Sequence, residues 1–353
     1  MLHTLPDWLR MTAAMLLACA LSHTLTPAVK ILAEKLGAVD QPGGRRIHDH
    51  PIPRLGGLAI CAAFLAAALL FARLSRPVAG LLLGSLVILL MGAADDLRQL
   101  SPWRKLALQT GAAALALSFG VRIEALSVPG AAASFLTLGR LSGPLTLLWL
   151  VGCTNAVNLI DGLDGLAAGV SAISSLTLFE AALLAGQPEA ALLLAALVGA
   201  CLGFLPFNFN PAVIFMGDVG SQFLGFVLAC VSVVGTLKLQ TALTFAVPLL
   251  SLALPLADTA CAFLRRLLRG QSPFRADRGH FHHRLLALGF SQRQAAALLY
   301  AASALSGLAA LWVADEQRNV RLLCLLLALA VVLLAYRFVF RRYLRAKKER
   351  RSP

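Results

Sequence analysis

The sequence predicts an all-α polytopic membrane protein, and three observations carry that expectation. Apolar residues make up 59 % of the 353 residues and charged ones only 14 %, whereas a soluble domain carries about 25 % charge. The apolar residues come in runs of roughly 20, the length at which a helix crosses a bilayer's hydrocarbon core. The basic residues behind the net charge of +14 flank these runs instead of forming a patch, so nucleic acid is not the expected partner. The lipid bilayer is.

Eleven segments qualify as spans: 11–32, 56–73, 78–94, 105–121, 144–160, 165–185, 188–206, 219–237, 241–263, 294–314 and 320–340. The first ends in Lys30, Glu34 and Lys35 rather than a small-residue cleavage site, so it reads as a retained anchor. The whole chain, 1–353, reads as one helical domain, with a His/Arg loop at 264–293 and a basic tail at 341–353. Seven cysteines lie in or beside apolar runs without a C-x-x-C pair, so they read as small buried hydrophobes.

Positive charge sets the orientation, because cytoplasmic loops retain Lys and Arg. With eleven spans, most of the 31 Lys and Arg fall on one side. Arg10, Arg73, Arg76, Arg122, Arg140, Lys238, Arg318 and Arg321 fall on the other. The richer side, with the C-terminus, is the expected cytoplasmic face, and the N-terminus lies outside. Arg73 and Arg76 fit poorly, being two positives in one short outer loop.

The polar motifs sort to the same cytoplasmic side. Met91-Gly-Ala-Ala-Asp95-Asp96 puts adjacent acids at a span end. Such neighbours repel unless a cation or a proton intervenes, although a helix end emerging into water would also carry them. Asn155-Ala-Val-Asn158-Leu-Ile-Asp161-Gly-Leu-Asp164-Gly repeats an oxygen-bearing side chain every third residue. Oxygen donors without Cys suit a hard cation such as Mg²⁺. A polar turn with an Asp cap would not need four of them. In Asn208-Phe-Asn210-Pro-Ala-Val-Ile-Phe215-Met-Gly217-Asp218, Asp218 opens a span, either as a plain N-cap or beside a phosphate site.

Arg278-Gly-His280-Phe-His282-His283 gathers imidazole and guanidinium, groups that bind diphosphate oxygens, within a loop that acidic lipid would also attract. Asp40-Gln-Pro-Gly-Gly-Arg45-Arg46-Ile-His48 through Pro53-Arg54-Leu-Gly-Gly57 is a turn-rich basic loop. Asp258 stands alone in an apolar run. A transporter using intramembrane acids would place them at the midplane and show an internal repeat. Here the motif acids sit at span ends.

Taken in order, these five motifs resemble the polyprenyl-phosphate N-acetylhexosamine-1-phosphate transferases, in the WecA/TagO-like branch related to MraY. The resemblance runs from about residue 37 to 295. It implies transfer of GlcNAc-1-phosphate from UDP-GlcNAc to undecaprenyl phosphate in a bacterial inner membrane, with release of UMP, Mg²⁺ as cofactor (Mn²⁺ substituting) and a homodimer. Another UDP-HexNAc or UDP-MurNAc-pentapeptide would be an alternative donor.

By position, the resemblance gives Asp218 and Asn158 to the metal, and Asp95, Asp96 and Asp161 to catalysis. Lys105, Asn155, Asp164, Asn208, Phe215, Arg278, His280, His282 and His283 fall to substrate binding, with Phe215 stacking on uracil. Two positions depart from the pattern. Gln99 replaces a third acid after Asp95-Asp96, and Trp103 stands where relatives carry Lys. In-line attack by the lipid phosphate and a covalent route through Asp161 or Asp95 both remain open.

Overall fold

A computed structural model describes residues 5–41, 51–127, 135–235, 245–271, 279–314 and 323–334. In chain order come α1 (Asp7–Lys35), β1 (Val39–Asp40), β2 (Ile52–Pro53), α2 (Gly57–Phe71), α3 (Arg76–Arg98) and α4 (Pro102–Ser118). Then follow β3 (Ala125–Ser127), β4 (Phe135–Thr137), α5 (Ser142–Ile160), α6 (Leu166–Leu184), α7 (Pro188–Asn208) and α8 (Gly217–Gly235). The chain continues through α9 (Ala246–Ser251), α10 (Ala253–Leu268), α11 (Phe281–Ala287) and α12 (Gln292–Ala314), and then α13 (Leu323–Leu334).

The bundle is polytopic, but its helices are less uniform than hydropathy suggested. Seven helices are long and apolar enough to cross a membrane, with α2 and α13 as shorter apolar ones, among the described residues. The expected span 241–263 is instead α9 and α10, which meet at Leu252 with ψ at 15°. Pro248 and Pro255 each lack the N–H a continuous helix needs. The expected 264–293 loop is also partly helical: α10 runs on to Leu268, α11 lies within it, and α12 begins at Gln292. Two antiparallel hairpins, β1–β2 and β3–β4, interrupt an otherwise helical chain. The tail 341–353 and the ends of the last expected span lie outside the described residues.

Helix α8 is the axis of the bundle. Every residue from Val219 to Val233 is buried, as expected for a helix that is apolar on all sides. Phe223 meets Phe64 of α2 edge-on at 5.7 Å, and Trp149 of α5 donates its indole N–H to Ser232 Oγ at 3.1 Å. α1 and α7 approach closely through small residues. A Cβ on Gly199 or Gly203 would lie 2.1 Å from Met15 O or 2.2 Å from Cys19 O, the kind of contact that lets helix backbones meet in lipid. Leu90, Leu148 and Leu176 point outward and exposed, as a lipid-facing rim requires. Five cysteines are buried as expected, whereas Cys261 is exposed.

Successive helices from α3 to α8 run antiparallel, so the turns after α3, α5 and α7 share one end. The turns after α2 and α6 share the other, where Arg10 of α1 is only 1 % exposed. Its guanidinium donates to Phe71 O at 2.6 Å and to Glu189 Oε1 at 2.9 Å, and pairs with Asp7 at 2.9 Å. Glu189 also accepts from the Arg73 backbone N–H at 2.8 Å. Of the two arginines that fitted the charge bias poorly, Arg73 pairs with Glu189 at 3.7 Å and Arg76 donates to Ser118 O at 3.1 Å, while Arg10 is neutralised by Asp7 and Glu189.

Removing one partner from a buried ion pair costs about 3–5 kcal/mol. Glu189→Leu is expected to destabilise the detergent-solubilised protein by the lower end of that range. Chemical or thermal unfolding checks it, and Glu189→Gln should cost less.

Candidate active site

At the shared end, three chain reversals deliver acids and amides to one place. α3 stops because Gln99 takes a left-handed conformation, φ 50°. That turn brings the Leu100 N–H to Asp95 Oδ1 at 2.6 Å and starts α4 at Pro102, which places Lys105 one turn further on. The position that departs from the resemblance is therefore a helix stop. Gly217, at φ 74°, turns the chain into α8, and a Cβ there would sit 2.5 Å from Asp96 Oδ2. Gly92 allows α3 to lie against this start, since a Cβ on it would come within 2.4 Å of Val219 Cα.

Adjacent acids on a helix point about 100° apart, and the two here do different work. Asp96 accepts the N–H of Asp218 at 3.1 Å and of Val219 at 3.0 Å. It caps α8 from another helix, where the helix dipole favours a negative charge. Arg54 steadies it by donating to the Asp96 carbonyl at 2.6 Å. Asp95 faces Lys105 instead, and the Lys105 ammonium bridges Asp95 Oδ2 to Asp218 Oδ2, the latter at 2.8 Å. Asn158 donates to Asp218 Oδ1 at 3.1 Å and to Ser221 Oγ at 2.9 Å.

These donors fit a hard cation. With both amide hydrogens of Asn158 used, its carbonyl oxygen is the atom left to coordinate. A lysine ammonium already stands between two carboxylates, as a cation there must. Among the described residues no group of three or more His, Cys, Asp or Glu is placed to hold a metal ion, so the cation's protein donors here are one carboxylate and one amide.

The other expected residues divide into linkers and walls. Asn155 pairs with Gln109, Nδ2 to Oε1 at 2.8 Å, inside the bundle. Asp164 accepts from Asn210 Nδ2 at 2.9 Å and Ala212 N at 3.1 Å. Asn208 accepts from Gly165 N at 3.1 Å and donates to Ile214 O at 3.0 Å. Asp164 and Asn208 therefore tie the 161–165 turn to the 208–214 turn. Phe215 is partly exposed, and its backbone zips to Pro53 O at 2.8 Å and Gly56 N at 2.9 Å.

The histidines lie across Gly162. His280 bonds Asp258 at 2.7 Å through Nδ1, and its ring stacks on His282 at 5.8 Å and 9°. His282 in turn tilts against His283 at 4.2 Å. A Cβ on Gly162 would stand 2.3 Å from His282 Nε2. Burial, with His283 and His280 adding to it against the pull of Asp258, holds His282 down to about 4, so it is neutral at pH 7. Asp161, in the same turn, is pushed up to about 8 by burial and then by Asp218, Asp96 and Asp164. Arg278, together with His48 and His50, lies outside the described residues.

Sequence reasoning gave no site role to Arg54, Gln109, Ser221 and Gln222, and gave Asp258 no partner. Each acts through a contact with a residue far along the chain. Only the Ser and Gln three and four residues after Asp218 carried a local signal, since they share its helix face.

Residues 78–236, from α3 to the end of α8, match the family described as glycosyl transferase family 4. A Bacillus subtilis protein named "Probable undecaprenyl-phosphate N-acetylglucosaminyl 1-phosphate transferase" is 40 % identical over 297 residues, 83 % of this chain and 82 % of its own length. The chain belongs to glycosyl transferase family 4. Among further family relatives, the Mycobacterium tuberculosis decaprenyl-phosphate N-acetylglucosaminephosphotransferase is 35 % identical over 81 % of this chain and 78 % of its own. The Escherichia coli K12 undecaprenyl-phosphate alpha-N-acetylglucosaminyl 1-phosphate transferase is 31 % identical over 78 % and 76 %. The stretch matched by the family holds Asp95, Asp96, Lys105, Asn158, Asp161 and Asp218. The Arg54 strap and the histidines lie outside it.

Two outcomes follow from this geometry. The ligand-free protein at pH 6.5 should show protonated-carboxyl infrared intensity that falls in Asp161→Asn; an unchanged spectrum would mean Asp161 is ionised. Gly162→Val should push His282 away and lower turnover by about tenfold or more, as a small misplacement near reacting groups does, while the protein stays folded by circular dichroism.

Proposed function

We propose that this chain transfers N-acetylglucosamine 1-phosphate from UDP-GlcNAc to undecaprenyl phosphate and releases UMP. The observation that carries the reading is the Asp95–Lys105–Asp218–Asn158 cluster at one end of a membrane bundle. Such a cluster can meet a phosphate borne on a lipid and one borne on a nucleotide. The GlcNAc donor rests on the names of the family relatives. The cluster's end is read as cytoplasmic from the charge bias, because the two exceptions on the opposite end, Arg73 and Arg76, are engaged locally by Glu189 and by the Ser118 carbonyl.

The reaction needs an oxygen of the lipid phosphate to attack the β-phosphorus of the sugar nucleotide. The bond from that phosphorus to the bridging oxygen breaks, and UMP leaves with the electron pair. A phosphate monoester loses its second proton near pH 6, so at neutral pH the nucleophile is already largely dianionic and needs orientation more than a base. Asp95 supplies that by fixing Lys105, whose ammonium attracts the incoming phosphate. Asp96 holds the α8 N-terminus where Asp218 is presented. Asp161 and the neutral His282 close the far side and exclude water.

Asp218 and Asn158 would hold Mg²⁺, which when bound offsets the diphosphate charge. Phe215, partly exposed beside the Arg54 strap, offers a flat face for the base. In-line transfer requires no covalent enzyme intermediate, and Asp95, already engaged by Leu100 and Lys105, is poorly placed as a nucleophile.

Purified protein supplied with undecaprenyl phosphate, UDP-GlcNAc and Mg²⁺ should release UMP only when all three are present. Asp218→Asn should lower that rate by more than about 100-fold, beyond the usual cost of losing an outer-shell partner. Release with a different UDP-HexNAc alone would move the donor. An active Asp218→Asn enzyme would remove Asp218 from the metal.

A further inference from the structure

A line of side-chain amides runs from the bundle interior to Asp218. Asn155 donates through Nδ2 to the backbone oxygen of Val151 at 2.9 Å and to Gln109 Oε1 at 2.8 Å. Gln109 donates through Nε2 to Asn155 Oδ1 at 3.3 Å and to Gln222 Oε1 at 2.9 Å. Gln222 then donates to Asp218 Oδ2 at 3.1 Å. Gln109 is 2 % exposed and Gln222 is fully buried, so no water competes for these bonds.

The direction of this line is fixed at its inner end. Val151 offers a carbonyl, which only accepts, so Asn155 must turn its nitrogen toward it and take Gln109's oxygen with its second hydrogen. Gln109 is then left with hydrogens for Gln222's oxygen, and Gln222 must present nitrogen to Asp218. A flip at any one amide would set oxygen against oxygen or nitrogen against nitrogen, and a buried mismatch of that kind costs the full desolvation of each group.

The consequence falls on Asp218. A carboxylate has about four acceptor positions. Lys105 and Gln222 together fill both on Oδ2, and Asn158 takes one on Oδ1. Of these ammonium and amide donors, two fall on Oδ2 and one on Oδ1, the oxygen beside Asn158.

We propose that Gln109 and Gln222 are positioning residues of the reaction, a one-way amide relay that saturates Asp218 Oδ2 and leaves Oδ1 alone to meet the divalent cation. The proposal rests on the reading of Asp218 and Asn158 as the cation's ligands. It adds that the ligand's orientation is set from α4, on which Gln109 lies, two side chains away from Asp218. Outer partners of this kind typically change metal affinity by about 10–100-fold when removed.

Mn²⁺ titration followed by electron paramagnetic resonance tests it on the full detergent-solubilised chain without substrates. Wild type, Gln222→Met, Gln109→Met and the double variant would be compared, with melting curves as the control for folding. Gln222→Met should weaken Mn²⁺ binding by about tenfold, and Gln109→Met should weaken it by a comparable or smaller factor. The double variant should bind no more weakly than Gln222→Met, because both act along one path. The KM for undecaprenyl phosphate should stay near wild type in both single variants.

A folded Gln109→Met protein that binds Mn²⁺ as wild type does would overturn the relay, and so would strictly additive losses in the double variant. If Gln222→Met does not fold, Gln109→Met, which leaves Asp218's own contacts in place, still decides. Absence of Mn²⁺ binding by the wild type would overturn the metal reading itself and the proposal with it.

Discussion

Three carboxylates, Asp95, Asp96 and Asp218, meet where α3 ends and α8 begins, the first two buried and the third partly so. Unpaired charges there would be costly, so the surrounding structure is organised to offset each of them. Asp96 takes two backbone N–H groups from the start of α8. Asp95 takes the turn after α3 and half of Lys105. Asp218 takes the rest of Lys105, Asn158 and Gln222. The left-handed turn at Gln99, the glycines at 92 and 217 and the Arg54 strap each exist in a form that lets these donors arrive.

The same arrangement explains how a site for anions can be built from acids. The carboxylates are spent inward, on helix ends and on one lysine, so the face they present is a set of fixed oxygens suited to a cation rather than a bare negative patch. The histidine arm comes from far along the chain and is held in register by Asp258, with His282 resting on Gly162. Asp161 and His282 both favour their neutral forms at pH 7, which limits repulsion and attraction at the far wall until a ligand arrives.

Much of this was legible in the sequence. A polar cluster at the end of an apolar run has few uses, and oxygen donors every third residue on the last turns of a helix mark one face. The 241–263 segment was misread because hydropathy records composition and not continuity; its prolines carried the break. The separate duties of Asp95 and Asp96 were hidden because adjacent residues differ in direction, which only the neighbouring helices reveal. The sequence marked Asp164 and Asn208 as polar groups suited to binding, but not that they tie two turns together, which takes the same groups. Gln109, Arg54 and the partner of Asp258 depend on contacts 22 to 113 residues apart along the chain, and no local pattern encodes them.

The central claim is that the cation and the nucleotide diphosphate meet at Asp218 and Asn158. Anomalous diffraction from crystals of the protein grown with Mn²⁺ and UDP-GlcNAc tests it most directly. The account predicts one strong Mn²⁺ peak bonded to Asp218 Oδ1 and the Asn158 carbonyl oxygen, with diphosphate density reaching toward Lys105. A peak held by the histidines at 280–283, with Asp218 still bound only to its protein partners, would contradict it.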